Sequence, residues 1–536
     1  MTRMDNFRAS MNWVHTWAGV VIGALLFAMF WMGSLSVFDK EIDRWMQPES
    51  RLVLHDQTID YDKAIFNLVS GAGDEKLLSL SISPPSDRVP FITAYAYYEG
   101  SGYKQLRLNA DTGDRIPEPQ SLAGSGFIFP FHFMLHIPAG LGYWLVGFAA
   151  LAMMTLLVTG IIIHRKIFVD FFTFRPKKKI RRSSLDLHNV TSVLFLPFYF
   201  LISFSGLVIF AGWYASLPWG IANDLTGDNT EQLYWAADEY GYLERSAAGE
   251  PGADLVSIAP LIAEAEAIWT QRYNQPAKMD RLQVANIGDA NSYISVFRTF
   301  PGRRVEMGRD AVFFDGATGE LIKDFEASPI VVARKWIEGF HFVQFRHWPL
   351  RWLYFVAGLT GCIMIATGFV FWTASRRKKE GETQPIKVRV VEAITIGSVT
   401  GIIISTGVFL IANRLIPVGE TVLGQTPEML EVTAFYLAWI ATFLHASLRT
   451  NTAWLEQSCV IAILAPIAVA LNWLTTGDHI FATLSEGKLS IFGMDLVLIA
   501  GGGVALMAAM RLTENNKRAA DTARQMRTTV QKVPAE

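Results

Sequence analysis

Residues 12–38 read NWVHTWAGVVIGALLFAMFWMGSLSVF, a predominantly apolar run from Trp17 to Phe38 with one histidine, His15, just before it. A helix of roughly 20 apolar residues crosses a hydrocarbon core about 30 Å thick, so this stretch is long enough to span a bilayer. Arg3 and Arg8 precede it, as basic residues precede a secretion signal. The run is longer than the roughly 7–15 residues of a signal core, and no A-x-A site follows, so the reading is a retained anchor.

Working outward, the whole chain shares this character. At 536 residues, 51% hydrophobic and 18% charged, it is too apolar for one soluble domain and long enough for several. Eight segments meet or approach spanning length, near 13–38, 141–164, 187–213, 352–374, 391–413, 430–448, 457–475 and 490–511. The net charge of −2 is uninformative, because orientation follows the placement of Lys and Arg. Arg165, Lys166, Arg175, Lys177, Lys178, Lys179, Arg181 and Arg182 crowd between spans two and three. Arg376, Arg377, Lys378, Lys379, Lys387 and Arg389 crowd between spans four and five. Both loops are therefore expected inside, and eight spans with cytoplasmic N- and C-termini satisfy every loop. The setting this implies is a bacterial inner (cytoplasmic) membrane. The two cysteines, Cys362 and Cys459, both fall within spans, so no disulfide framework or cysteine-ligated cluster is available.

A unit is used twice. His15 in NWVHTWAGV and His188 in LDLHNVTSV each open an outward span. Each span leads to an outer segment with a similar strand–turn phrase, LRLNADTGDRI at 106–116 and VFFDGATGELI at 312–322. Alternating apolar residues and T-G turn chemistry predict a hairpin in both. An aromatic, histidine-bearing stretch follows each phrase, FPFHFMLHIPAGLGYW at 129–144 and GFHFVQFRHWPLRWLY at 339–354, and then an inward span. Residues 391–511 show no third copy; they form four more spans, joined by short loops, and within the spans the ionisable groups that stand out are Glu392, Glu431, His445 and Asp495.

Seven of the ten histidines lie in or beside the first four spans. Topology puts His15, His164 and His188 at the cytoplasmic face and His132, His136, His341 and His347 at the outer face. Ionisable side chains in a membrane are costly and usually functional. Neutral imidazole is the commonest metal ligand, and haem iron held by two imidazoles has no open site, which favours electron transfer. Two such haems need two histidines at each face, and the sequence supplies them. Trp13, Trp17, Gly19, Gly23, Phe27, Gly147, Gly160, Gly206, Gly358 and Gly361 offer small and aromatic surfaces for a flat apolar ring, although such a stripe also serves plain helix packing. The HxxxH spacing of His132 and His136 also suits a structural or transported metal, but no Glu follows His132 to give the hydrolytic motif.

These residues carry a resemblance. VHTWAGV, the T-G phrase of each outer segment, TGIIIHRKIFVDFFTFRPKKK, SLDLHNV and FHFVQFRHWPLRWLYFVAGL together resemble the PepSY-associated transmembrane family over about residues 10–380. That family includes inner-membrane reductases that act on ferric siderophores through two haem b groups. The resemblance implies a mainly α integral membrane protein: a four-helix haem-binding bundle, two periplasmic α+β PepSY-type domains and a C-terminal four-helix membrane extension. By position, His15 and His188 would ligate the cytoplasmic-side haem iron, and His136 and His341 the periplasmic-side one, with His164 and His132 as secondary candidates. His164 stands where many relatives have tryptophan, His347 replaces a glycine-like position, and Asn109 stands where the second repeat has Asp315. The expected organisation is a first span at 1–38, outer domains at 39–131 and 214–340, histidine stretches with spans at 132–213 and 341–380, four further spans at 391–511, and a cytoplasmic tail at 512–536.

The leading expectation is thus a ferric (siderophore) reductase-type oxidoreductase with two haem b per chain. It would pass electrons from a cytoplasmic or membrane donor to a ferric siderophore or other ferric chelate outside. No nicotinamide or flavin fingerprint is present, so the donor is separate; no nucleic-acid partner is expected. The competing expectations are a metal or solute permease, or a non-enzymatic PepSY-type sensor or regulatory membrane protein.

Overall fold

A computed structural model describes residues 3–54, 59–70, 75–137, 140–164, 173–214, 243, 245–299, 305, 307, 310–345, 347–380 and 386–530. In chain order the principal helices are α1 (Arg3–Ser36), α2 (Asp39–Met46), α3 (Tyr61–Ser70), α4 (Phe129–Met134), α5 (Leu141–Ile163), α6 (Ile180–Leu194), α7 (Leu196–Ile209), α8 (Ile258–Tyr273), α9 (Pro329–Phe342), α10 (Trp348–Glu380), α11 (Ile386–Leu415), α12 (Pro427–Leu448), α13 (Ala453–Thr476) and α14 (Leu489–Val530). The strands are β1 (Leu77–Ser83), β2 (Ile92–Tyr98), β3 (Gly102–Leu108), β4 (Lys278–Ala285), β5 (Tyr293–Thr299), β6 (Asp310–Asp315) and β7 (Leu321–Phe325).

Among the described residues seven helices are long and apolar enough to cross a membrane: α1, α5, α10, α11, α12, α13 and α14. The protein is multi-pass. The eighth expected span, at 187–213, is instead the pair α6 and α7, bent by 65°. Pro197, in the first turn of α7, explains the break, because it lacks an N–H and its ring clashes with the carbonyl four residues earlier. Two expectations lie partly outside the described residues: the inner loop at 165–172, with Arg165 and Lys166, and the outer segment at 215–242.

The chain divides into two units, one of Met1–Pro48, Gln120–Tyr199 and Val356–Glu536, the other of Glu49–Pro119 and Phe200–Phe355. In the first, α1 packs on α4, α5 and α11, and α11 packs on α12 and α13. The four C-terminal helices are stapled to this core through their few ionisable groups. Trp45 Nε1–H donates to Asp495 Oδ1 (2.7 Å), Ser121 Oγ–H donates to Glu431 Oε2 (2.7 Å), and Arg377 pairs with Glu392. His445 Nε2 meets Glu456 at 2.8 Å within the extension. The expected domain edge at residue 39 therefore moves: α2 buries Ile42, Trp45 and Met46 in the helical core, and residues 120–131 join it too.

In the second unit the two outer segments do not form two separate domains. All seven strands make one antiparallel sheet in the order β3-β2-β1-β4-β5-β6-β7. The junction is β1 on β4, with Leu80 opposite Val284 and Ile82 opposite Leu282. Separate three- and four-stranded sheets would each expose another unpaired edge, and pairing β1 with β4 removes both. One face buries Leu80, Ile82, Ala96, Leu106, Leu282, Val296 and Phe314 against Ala64 and Leu68 of α3 and Leu261 and Trp269 of α8. The two T-G phrases fold alike. Gly113 N–H donates to Asn109 O and Gly319 N–H to Asp315 O, both at 2.9 Å, and the side chains of Asn109 and Asp315 accept from the backbone two residues on.

Candidate functional site

His15 lies on α1 and His188 on α6, and the fold brings them together with ring centroids 6.4 Å apart and planes at 80°. Their placement follows from glycine on the facing helices. A helical Cβ leans toward the preceding turn and shields the carbonyl there. Gly160 on α5 and Gly368 on α10 have no Cβ; one built on them would sit 3.3 and 3.2 Å from the imidazoles of His15 and His188. Each ring lies in that gap and reaches the carbonyl four residues before the glycine. His15 Nδ1–H donates to Leu156 O at 3.1 Å, with Thr159 Oγ1 also at 3.1 Å, and His188 Nδ1–H donates to Met364 O at 2.8 Å.

A carbonyl can only accept, so the proton on each ring is at Nδ1 and the lone pair is at Nε2. Among the described residues neither Nε2 has a hydrogen-bond partner. Both histidines line a cavity of about 480 Å³, walled by Gly19, Leu26, Met153, Leu157, Ile365 and Phe369 among others. That volume falls within the roughly 300–1,000 Å³ of ligand pockets.

The same seat recurs at His132. A Cβ on Gly33 would sit 2.7 Å from its ring, and its Nδ1–H donates to Met29 O at 2.8 Å, again four residues before the glycine. In the other unit His341 rests on Gly206 at 3.1 Å, with Ser205 Oγ 2.9 Å from its Nδ1. His136 has no such seat. It follows Leu135 in the left-handed region (φ 54° and 50°), lies tilted against Phe127, and its Nε2–H donates to Gly126 O at 3.2 Å. With Nε2–H donating, the lone pair of His136 is at Nδ1, so His132 and His136 differ in which ring nitrogen is anchored. His164 lines the cavity of His15 and His188 but has no helix carbonyl on Nδ1, and His347 is exposed. Sequence reading missed Leu156, Met364 and Met29 as carbonyl partners; the signal was a glycine four residues on. Of the glycines singled out in the sequence, Gly19, Gly23 and Gly160 line the cavity, whereas Gly361 accommodates Phe30.

A family model described as the PepSY-associated TM region matches residues 12–375. The chain belongs to this family. The match takes in His15, His132, His188 and His341 and ends before α11, so the last four spans lie beyond it. Among curated proteins the chain is similar to an uncharacterized protein of Pseudomonas aeruginosa, 23% identical over 381 residues that cover 69% of this chain and 90% of that relative.

The cavity can be tested for haem from its own geometry. An imidazole nitrogen binds a transition metal at about 2 Å and the ring centroid lies about 1.2 Å behind it, so two imidazoles trans on one metal have centroids roughly 6.4 Å apart. The observed separation is 6.4 Å. With both Nδ1 atoms anchored and both Nε2 atoms unengaged, His15 and His188 are the residues that would hold a haem iron here.

Proposed function

We propose that this chain is a transmembrane electron-transfer protein of the bacterial inner membrane that holds two haem b groups and reduces a ferric siderophore or other ferric chelate on the outer side. The observation that carries it is the His15–His188 pair, 6.4 Å apart in one apolar cavity with both Nδ1 atoms tied to backbone. When bound there, haem supplies a one-electron couple with no open coordination site, suited to relaying electrons rather than binding oxygen.

What this chain's residues contribute is position. Gly160 and Gly368 admit the rings, Leu156 and Met364 fix their tautomers, and the apolar wall keeps water from the metal edge. The seat of His132 makes it a candidate ligand of the second haem, beside the expected His136. The donor is a cytoplasmic or membrane species, consistent with the basic loops that mark the inner face. An electron delivered to a ferric chelate releases iron, because Fe(II) holds hard oxygen donors less tightly than Fe(III). The permease reading loses support, because Glu392, Glu431, His445 and Asp495 are all engaged in inter-helix contacts.

The test is a reduced-minus-oxidised visible spectrum of purified full-length protein with a pyridine haemochrome assay. Haem b bands at two per chain, reoxidised by a ferric chelate, are expected. A colourless protein that takes up no haem overturns the reading.

A further inference from the structure

One turn beyond each imidazole seat, the cavity carries a nitrogen with nothing to bind. His164, the residue that ends α5, stands four residues after Gly160, and Trp372 stands four residues after Gly368 on α10. Both line the cavity of His15 and His188. His164 Nδ1 and Trp372 Nε1 are buried and have no hydrogen-bond partner among the described residues. Leaving such a group unsatisfied costs about 1–3 kcal/mol, and native proteins rarely leave two in one site. The indole N–H is a donor only, so what is missing at that position is an acceptor.

A cation borders the same end. Arg182, in the first turn of α6, also lines the cavity. Its Nε is 3.1 Å from Asp186, but Asp186 is already held by both Nε and Nη2 of Arg175 at 2.8 and 3.0 Å. Two guanidiniums share one carboxylate, leaving a net positive charge at the mouth. Farther along the same helices the walls are Leu26, Met153, Leu157 and Ile365, with no charge. The cavity is therefore apolar in its body and cationic and donor-rich at one end.

Resting on the haem reading above, we propose that His164, Trp372 and Arg182 form a carboxylate-anchoring end that holds the ionised propionates of the ligand, and that His164 is a positioning residue rather than an axial ligand. Trp372 stands one turn, about 5.4 Å, beyond the seat of His188 on α10, and His164 follows the end of α5 four residues beyond the seat of His15. The net charge of Arg182 opposes two anions. The arrangement fixes which edge of a flat, nearly symmetric macrocycle faces the mouth.

The experiment compares haem b with its dimethyl ester, in which both carboxylates are neutralised, binding to haem-depleted full-length protein in nanodiscs. Charge-assisted hydrogen bonds of this kind should give the wild-type chain a preference of roughly 10- to 100-fold for the free acid. The Trp372→Phe, His164→Leu and Arg182→Gln variants should lose most of that preference while keeping the low-spin bis-histidine spectrum, and His164→Gln, which restores a donor, should regain part of it. A His164→Leu protein that loses the bis-histidine spectrum would make His164 a ligand and overturn the proposal, as would an unchanged preference in all three variants. A wild-type protein that binds neither form overturns the haem reading itself, and this proposal with it.

Discussion

Placing a side chain at Gly368 should weaken haem binding far more than any effect on helix stability can account for. In Gly368→Val the new Cβ lies 3.2 Å from both Cε1 and Nδ1 of His188, tighter than ordinary contact, and two further methyl groups crowd the ring. The imidazole must leave the carbonyl of Met364, which it now meets at 2.8 Å. Losing that hydrogen bond costs about 0.5–1.5 kcal/mol by itself. The larger effect is on the metal: removing the partner that orients a ligating histidine typically costs 10- to 100-fold in affinity, or about 1.4–2.8 kcal/mol. Helix propensity works in the opposite direction, since replacing an interior glycine with valine gains roughly 0.3–0.5 kcal/mol. Gly503→Val is the control, because a Cβ there meets nothing within 4 Å. Haem titration of depleted protein in nanodiscs, followed by difference absorbance, should show Gly503→Val binding like wild type and Gly368→Val binding 10- to 100-fold more weakly. Wild-type affinity in Gly368→Val would refute the seat as the device that aligns His188.

Three further outcomes are expected. His132→Ala should remove one of two haems by pyridine haemochrome stoichiometry, because its ring is seated on the carbonyl of Met29; loss of that haem in His136→Ala alone would return the ligand role to His136. Asp495→Ala should lower the melting temperature of detergent-solubilised protein by stranding the buried Trp45 N–H, a loss of about 1–3 kcal/mol. Burial alone would raise the Asp315 carboxyl, but the Arg245 ion pair and the Thr318 and Ala317 N–H groups outweigh it and hold it down to about 2. A depressed carboxyl contributes stability above its ordinary value of 3.8 that disappears as pH falls from there through about 2, so acid unfolding of Asp315→Asn should lose its slope in that window.

How much of this could be read without coordinates depended on how local the physics was. Membrane insertion was legible because spanning length and apolarity are properties of contiguous residues, as in Trp17–Phe38. The repeat was legible because the same turn chemistry recurs at Asn109 and Asp315, and the structure gives both the same hydrogen bonds. His15 and His188 could be singled out as costly residues in apolar surroundings. The resemblance implied their pairing, but the way each ring is seated could not be read, because it depends on Gly160 and Gly368 of two other helices, and a missing Cβ has no meaning until it is known what faces it. For the same reason the choice between His132 and His136 was not legible: they are four residues apart, and only the fold shows that one ring meets the carbonyl of Met29 and the other that of Gly126. The union of two outer segments into a single sheet was likewise a tertiary decision. The alternation of β1 and β4 specifies which face is buried, whereas which edge each strand pairs with is set by what else in the fold lies beside it.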